Sequence, residues 1–426
     1  MADVRPFRGI RYDPDVVKLD GALAPPYDVI NDELREDLYS RGLRNIVRID
    51  CGMVYEDDVP GERDRYTRAA QHLQAWRELG ILVRDDRPAF YVSDHEFTDP
   101  DGGVWHRRGL YGTVAALPWD RAPLRPHERT LRGPKEDRLR LLEATKTHTS
   151  AVFAMWTHDA GLSDVFDRVC ADAPLTGGRA DGELAGEKHL LWRVDDDAVV
   201  AQITAALAPA SLYVADGHHR YETAAAHAET NGGGDCLIYL CAADDPSLQV
   251  LPTHRLVHPQ GALPTSAADL VARGVGAWEV TSAEDLGAAA RAAASRRDSH
   301  HAFAVQLVGE AAVISTPREP ADPRSPREGL DTVVLEERLL RPLGLTPETI
   351  REGALSYSRD VASVRQAVSD GSAALGVVVN PSTTAEVIAV ADSGETMPQK
   401  STYFYPKVPT GLVLAPEQTS EQDSGR

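Results

Sequence analysis

Asp216-Gly217-His218-His219-Arg220 is the segment of this 426-residue chain whose residue types could act together on a ligand. It follows an apolar run, Ser211-Leu212-Tyr213-Val214-Ala215, and leads through Ala224, Ala225, Ala226 and His227 to Cys236-Leu237-Ile238-Tyr239-Leu240. That pattern predicts strand, sharp turn, helix, strand. At such a turn Asp216 is expected to accept hydrogen bonds from the first helical amides, and Gly217 to let the backbone come close to a ligand. A helix start presents unpaired amides and the positive end of its dipole to an anion. His218, His219 and Arg220 add donors at the same end, and a guanidinium matches phosphate oxygens in pairs. The chemistry expected is therefore a phosphate cradle. Two other readings stay open: Asp216 caps the helix while one histidine packs inward, or His219 and Glu222 share a helical face as part of a metal site. The second lacks a third ligand by spacing, so no metal ligand is assigned.

A second constellation is His127-Glu128-Arg129-Thr130 with Pro134, Lys135 and Arg138. A carboxylate beside cations can act as a general base, which makes Glu128 the candidate, while Lys135 and Arg138 can bind phosphate oxygens. A solvated ion-pair surface explains the same stretch. The run Met397 to Lys407 mixes aromatics with two lysines and two prolines, and its alternation suggests a strand with Lys400 or Lys407 near an anion, or else simple edge-strand packing. Thr253-His254-Arg255 and Ser356-Tyr357-Ser358-Arg359-Asp360 read as polar turns. There is no GxxxxGK[ST] loop, no convincing GxGxxG after a strand, no HExxH and no GxSxG, so phosphate chemistry here needs another scaffold.

The elements that must position these residues alternate between strand and helix, which predicts a mixed α/β fold. Apolar periodicity marks a helix over 64–79 with Ala69, Leu73, Trp76 and Leu79 on one face, another near Leu162 to Cys170, and one opened by Pro134. Strands are expected at Asn45 to Ile49, Pro88 to Ser93, Gly109 to Leu117, Ala151 to Trp156 and Leu190 to Val194, with a loop from Gly177 to Gly186. Further on, helix–strand alternation runs from 264 to about 316, Pro317 to Pro326 reads as a linker, and helices at 333–340 and 360–369 precede a strand at 374–379. These breaks suggest an N-terminal mixed region over 1–120, a phosphate-binding core over 121–260, an insertion over 261–320, a C-terminal region over 327–415 and a flexible tail over 416–426.

Composition narrows the function. A hydrophobic share of 42% can supply cores for two or three domains. Lys plus Arg number 45 against 65 for Asp plus Glu, a formal charge of -20, which argues against a broad nucleic-acid surface. Four cysteines without CxxC spacing suit reduced thiols. The polar start lacks the look of a signal peptide and no apolar run approaches the ~18 residues a membrane helix needs, so a cytoplasmic protein without membrane partners is expected.

Taken in order, Ala24-Pro25-Pro26-Tyr27-Asp28-Val29-Ile30, the Glu128 and Lys135 stretches, Ala215 to Arg220, Leu251-Pro252-Thr253-His254-Arg255 and Met397 to Pro406 resemble domain-of-unknown-function family 1015. The DGHHR segment in turn resembles the phosphate-binding motif of the ParB/sulfiredoxin-like fold, which includes free-serine kinases. That resemblance implies a ParB/sulfiredoxin-like nucleotide-binding core with additional mixed-sheet domains, a nucleotide phosphate site at Asp216 to Arg220, ATP or ADP as donor and Mg2+ as companion. The function expected is a small-molecule kinase, with a free serine or similar hydroxyl as acceptor. Glu128, His218 and His219 are the expected catalytic residues, and Asp216, Gly217, His218, His219, Arg220, Lys135, Arg138 and Lys400 the expected phosphate or nucleotide contacts. A phosphatase or nucleotide hydrolase, or a non-catalytic nucleotide-binding regulator, is the alternative.

Overall fold

The structure is a computed structural model that describes residues 2–128, 132–158, 161–179, 186–259, 263–319 and 322–417. Contacts group the chain into two compact units. One contains Met1–Pro126, Thr130–Leu248 and Pro406–Arg426; the other contains His127–Arg129 and Gln249–Tyr405.

The first unit is organised by an eight-stranded mixed sheet. Its strands in chain order are β1 (Phe90–Thr98), β2 (Val104–Ala115), β3 (Leu124–Arg125), β4 (Val152–Thr157), β5 (Thr176–Arg179), β6 (Lys188–Val194), β7 (Ser211–Asp216) and β8 (Asp235–Ala242). Across the sheet they run β3-β7-β4-β8-β2-β1-β6-β5. β7 and β8 lie on either side of β4, antiparallel and parallel to it respectively. These central strands are continuous apolar runs because both of their faces are covered. Helix Leu162–Cys170 is where the periodicity puts it, and helix Arg65–Glu78 starts at Asp64, which caps it through the amides of Tyr66 and Thr67. Ala69, Leu73 and Trp76 are buried as expected, whereas Leu79, just past the helix end, is exposed.

The second unit carries a six-stranded antiparallel sheet: β9 (His254–Val257), β10 (Glu279–Ala283), β11 (His300–Leu307), β12 (Glu310–Pro317), β13 (Leu355–Ser358) and β14 (Leu375–Val378), ordered β10-β12-β11-β14-β9-β13. Two apolar cores flank it. One takes in Leu270, Leu335 and Leu339 with Phe303 and Ile314, the other Leu286, Ala289, Val364 and Val368 with Ala302 and Ala304. The mixed α/β organisation expected from the alternation of elements is thus present in both units.

Four local expectations need correction. Val47–Asp50 is a helical turn rather than part of a strand, because Asn45 accepts from the Val47 amide and donates to the carbonyls of Gly21 and Leu23. The two polar turns around His254 and Tyr357 are strands paired with each other, His254 opposite Ser358 and Arg255 opposite Tyr357. The Gly177 loop begins inside β5, and residues 180–185 lie outside the described set. Between β12 and helix Asp331–Leu335 the chain is no free linker: the Arg318 guanidinium donates to the Gly329 carbonyl and to Asp331.

Close packing at the centre of the first sheet leaves a clear test. A Cβ on Gly109 would lie 2.2 Å from the Tyr239 ring and hydroxyl, so the glycine is required by its neighbour. Gly109→Ala is expected to cost on the order of 1–3 kcal/mol, as overpacking in a filled core does. Urea unfolding of Gly109→Ala and of Gly109→Ala/Tyr239→Ala checks this, the second substitution relieving the clash.

Candidate functional site

β7 ends at Asp216, Gly217 turns the chain, and helix His218–Thr230 begins at once. Gly217 has φ +94°, in the left-handed region that a glycine enters without strain. A Cβ there would also meet the Arg220 guanidinium at 2.9 Å. The strand–turn–helix geometry matches the expectation, but the role of Asp216 does not. Gly217, not Asp216, is the N-cap residue. The Asp216 carboxylate points instead at two cations: the Lys407 ammonium meets Oδ1, and Arg220 donates to Oδ2 at 2.6 Å. Burial alone would raise the pKa of Asp216, but Lys407, Arg220 and His218 outweigh it and hold the carboxyl well below the usual range.

Arg220 is buried and committed to the protein. One terminal nitrogen donates to Asp216 and the other to the Ala151 carbonyl. The cavity bordered by Arg138 and Arg220 measures about 30 Å³, room for a water but not for a phosphate. Arg138 is engaged in the same way: Nη1 lies 3.2 Å from Asp50, Nη2 donates to the Asp50 carbonyl, and Nε donates to Asp137. Its guanidinium also covers the Tyr27 ring at 4.2 Å. These two arginines, both expected to contact phosphate, are oriented by protein carboxylates and carbonyls. They fix Asp216, Asp50 and Tyr27.

Other donors border the turn. Lys135, on helix Arg132–Thr145, pairs with Glu222, which also accepts from Trp119 at 2.8 Å. His219 is half-buried; burial lowers its pKa, with Glu222 opposing and Lys135 reinforcing, so the imidazole is neutral near pH 7. His218 is buried beside Trp119, with ring centroids 6.3 Å apart. Tyr27 and Asp28, on a short 3₁₀ turn after Pro26, also face this region: the Tyr27 hydroxyl is pushed up to about 12 by burial against the charges of Arg220 and Arg138, and Asp28 is exposed 4.0 Å from Lys407. Lys135 thus lies beside His219 as expected. Lys407, rather than Lys400, is the lysine of the C-terminal run at Asp216, and its proximity to an aspartate 191 residues away is invisible to local spacing. Tyr27 and Asp28 could be singled out only through the Pro-Pro-Tyr-Asp resemblance.

Two expected residues belong to the second unit. Glu128 is half-buried there and its charge reaches Tyr357. His127 beside it lies 3.1 Å from the Thr402 hydroxyl. Lys400 is exposed with a left-handed backbone, φ +58°, and its carbonyl accepts from Arg255 at 3.3 Å.

The first unit thus sets the start of helix His218–Thr230 beside Lys407, Lys135 and His219. The chain belongs to the family described as protein of unknown function (DUF1015), whose model matches residues 4–333. No curated protein matches it by sequence. Solved structures similar to it include a free serine kinase in complex with AMP (14% identity, TM-score 0.37, 71% of this chain and 92% of that one). A variant of a free serine kinase in complex with ADP has the same identity, coverage and TM-score. A conserved hypothetical protein from Pyrococcus furiosus is 15% identical, with TM-score 0.35, over 71% of this chain and 94% of that one. Among the described residues, no helix is long and apolar enough to cross a membrane.

The depressed Asp216 carboxyl makes a signed pH prediction. Its stabilising contribution is present above the unfolded value of about 3.9 and is lost as pH falls through the lower folded value. Asp216→Asn strands two cations and should cost about 3–5 kcal/mol at pH 7. The gap between wild-type and variant unfolding free energies should stay constant from pH 8 to 5 and narrow only below about pH 4. Urea titrations at each pH measure it.

Proposed function

We propose that the protein is a phosphoryl-transfer enzyme acting on a small molecule, a nucleotide-dependent kinase of free serine or a similar hydroxyl acceptor. The observation that carries this reading is the turn itself: Gly217 is the N-cap residue of helix His218–Thr230, and Asp216 faces Lys407 and Arg220 rather than the helix. A helix start reached through such a glycine receives phosphate oxygens directly. His219 and Lys135 supply donors at the rim, and Arg220 acts from behind by fixing Asp216. Phosphoryl transfer depends chiefly on charge neutralisation and alignment, which this arrangement provides.

A nucleotide would bring Mg2+ bound to its phosphates, and Asp28, an exposed carboxylate, is an oxygen ligand the first unit offers such a hard cation. The ion would neutralise phosphate charge. For the acceptor proton, His219 is the base within the first unit, neutral near pH 7, and Glu128 is the carboxylate base assigned by residue type.

The test is incubation of purified protein with ATP or ADP, Mg2+ and a panel of hydroxyl-bearing amino acids, with phosphoproducts resolved by mass spectrometry. Acceptor-dependent phosphoproduct, serine first, is the expected result. Phosphate release without acceptor would replace the reading by a hydrolase, and binding without turnover by a regulator. The base is expected to be worth ~10²-fold or more in kcat, with nucleotide affinity unchanged. Comparing Glu128→Gln with His219→Gln identifies it.

A further inference from the structure

Away from the turn, the first unit buries a line of polar groups that the proposed reaction does not use. Arg107 on β2 is fully buried, its guanidinium 4.9 Å from the Phe153 ring centroid and 5.9 Å from that of Tyr239. One terminal nitrogen donates to the Pro406 carbonyl at 2.8 Å and lies 3.3 Å from His95 Nδ1. His95 stands opposite Arg107 in the β1–β2 register, and its Nε2 is 2.7 Å from Glu187 Oε2. His189, opposite His95 on β6, stacks against it with centroids 4.2 Å apart.

Hydrogen-bond direction orders this line. A guanidinium can only donate, so His95 Nδ1 accepts, its proton sits on Nε2, and Nε2–H donates to Glu187. Burial, reinforced by His189, lowers His95 to about 3, so the ring stays neutral. Burial alone would raise Glu187, but its contacts with His189 and His95 bring it down to about 2 and keep it anionic.

His95, Glu187 and His189 also have the spacing of a metal-ligand set. The chemistry opposes that use. A metal on His95 Nε2 would move the ring proton to Nδ1, where it would face the Arg107 donors, and would add positive charge beside a buried guanidinium.

We propose that Arg107 is a positioning residue for the Asp216 turn: aimed by His95 and Glu187, it holds the Pro406 carbonyl and so places Lys407 on Asp216. Pro406 and Lys407 are consecutive, and Lys407 is the cation on Asp216 Oδ1. Stability alone does not call for this arrangement, since buried ion pairs are often replaced by apolar residues without loss. A fixed direction for the segment entering the site does. This role deepens the phosphoryl-transfer reading and rests on it for its catalytic meaning.

The test follows the Asp216 carboxyl by NMR, as the ¹³C signal that Asp216→Asn removes, in the wild-type chain, Arg107→Met and Glu187→Gln. Arg107→Met should raise its titration midpoint by ~1 unit or more, because Lys407 leaves Oδ1. Glu187→Gln should move it the same way by less. A merely structural role would lower the melting temperature and leave the midpoint of the folded protein where it was, and that result overturns the proposal. If Arg107→Met does not fold, Glu187→Gln decides by the same criterion. The titration needs neither nucleotide nor acceptor. A shifted midpoint in a protein that phosphorylates nothing would therefore sink the kinase reading alone, and an unshifted one in an active kinase would sink this proposal alone.

Discussion

The Asp216 carboxylate, held between Lys407 and Arg220, is the interaction on which the first unit's site depends. It ties the end of β7 to the C-terminal segment through Lys407, and to the start of β4 through the bond from Arg220 to the Ala151 carbonyl. Three distant pieces of chain are thereby set in register around one charge. Gly217 permits this: its left-handed backbone turns the helix out of the strand within one residue, and its missing Cβ leaves the space that the Arg220 guanidinium fills.

The consequence is electrostatic. A carboxylate that capped the helix would cancel the positive end of its dipole and occupy the amides. Drawn back onto two cations, Asp216 does not cap the helix, and under the proposed function this helix start, with His219 and the Lys135–Glu222 pair beside it, is the place of an anion. The chain carries a formal charge of -20, so the proposed function calls for a small phosphate ligand rather than a polyanion. The buried Arg107–His95–Glu187 line has the same logic one layer in, with fixed donors and acceptors setting where a cation ends.

Much of this was legible in the sequence where the signal was local. The β7–Gly217–helix unit follows from an apolar run, a glycine and an alanine-rich stretch, and helix Leu162–Cys170 follows from its strong periodicity. Lys135 could be placed because Pro134 signals the helix, Arg132–Thr145, on which it lies. What failed was direction. Asp216 and Arg220 are of the right types for capping and for phosphate, but which groups they face is set by Lys407 and Ala151, 191 and 69 residues away. Arg138 reads as a phosphate ligand from its charge alone, and its contact with Asp50, 88 residues earlier, has no local signal. Strands β9 and β13 read as turns because each is short and polar, and it is pairing with each other, and of β9 with β14, that makes them strands.

The central claim is that the amides after Gly217 receive phosphate. Hydrogen–deuterium exchange of the peptide spanning Asp216 to Tyr221, measured with and without saturating ADP and Mg2+, tests it most directly. First-turn amides have no intrahelical partner and exchange readily, so a bound phosphate should slow the amides of His218, His219 and Arg220 while the rest of the helix changes little. ADP that binds with these amides exchanging at their free rate would contradict the account.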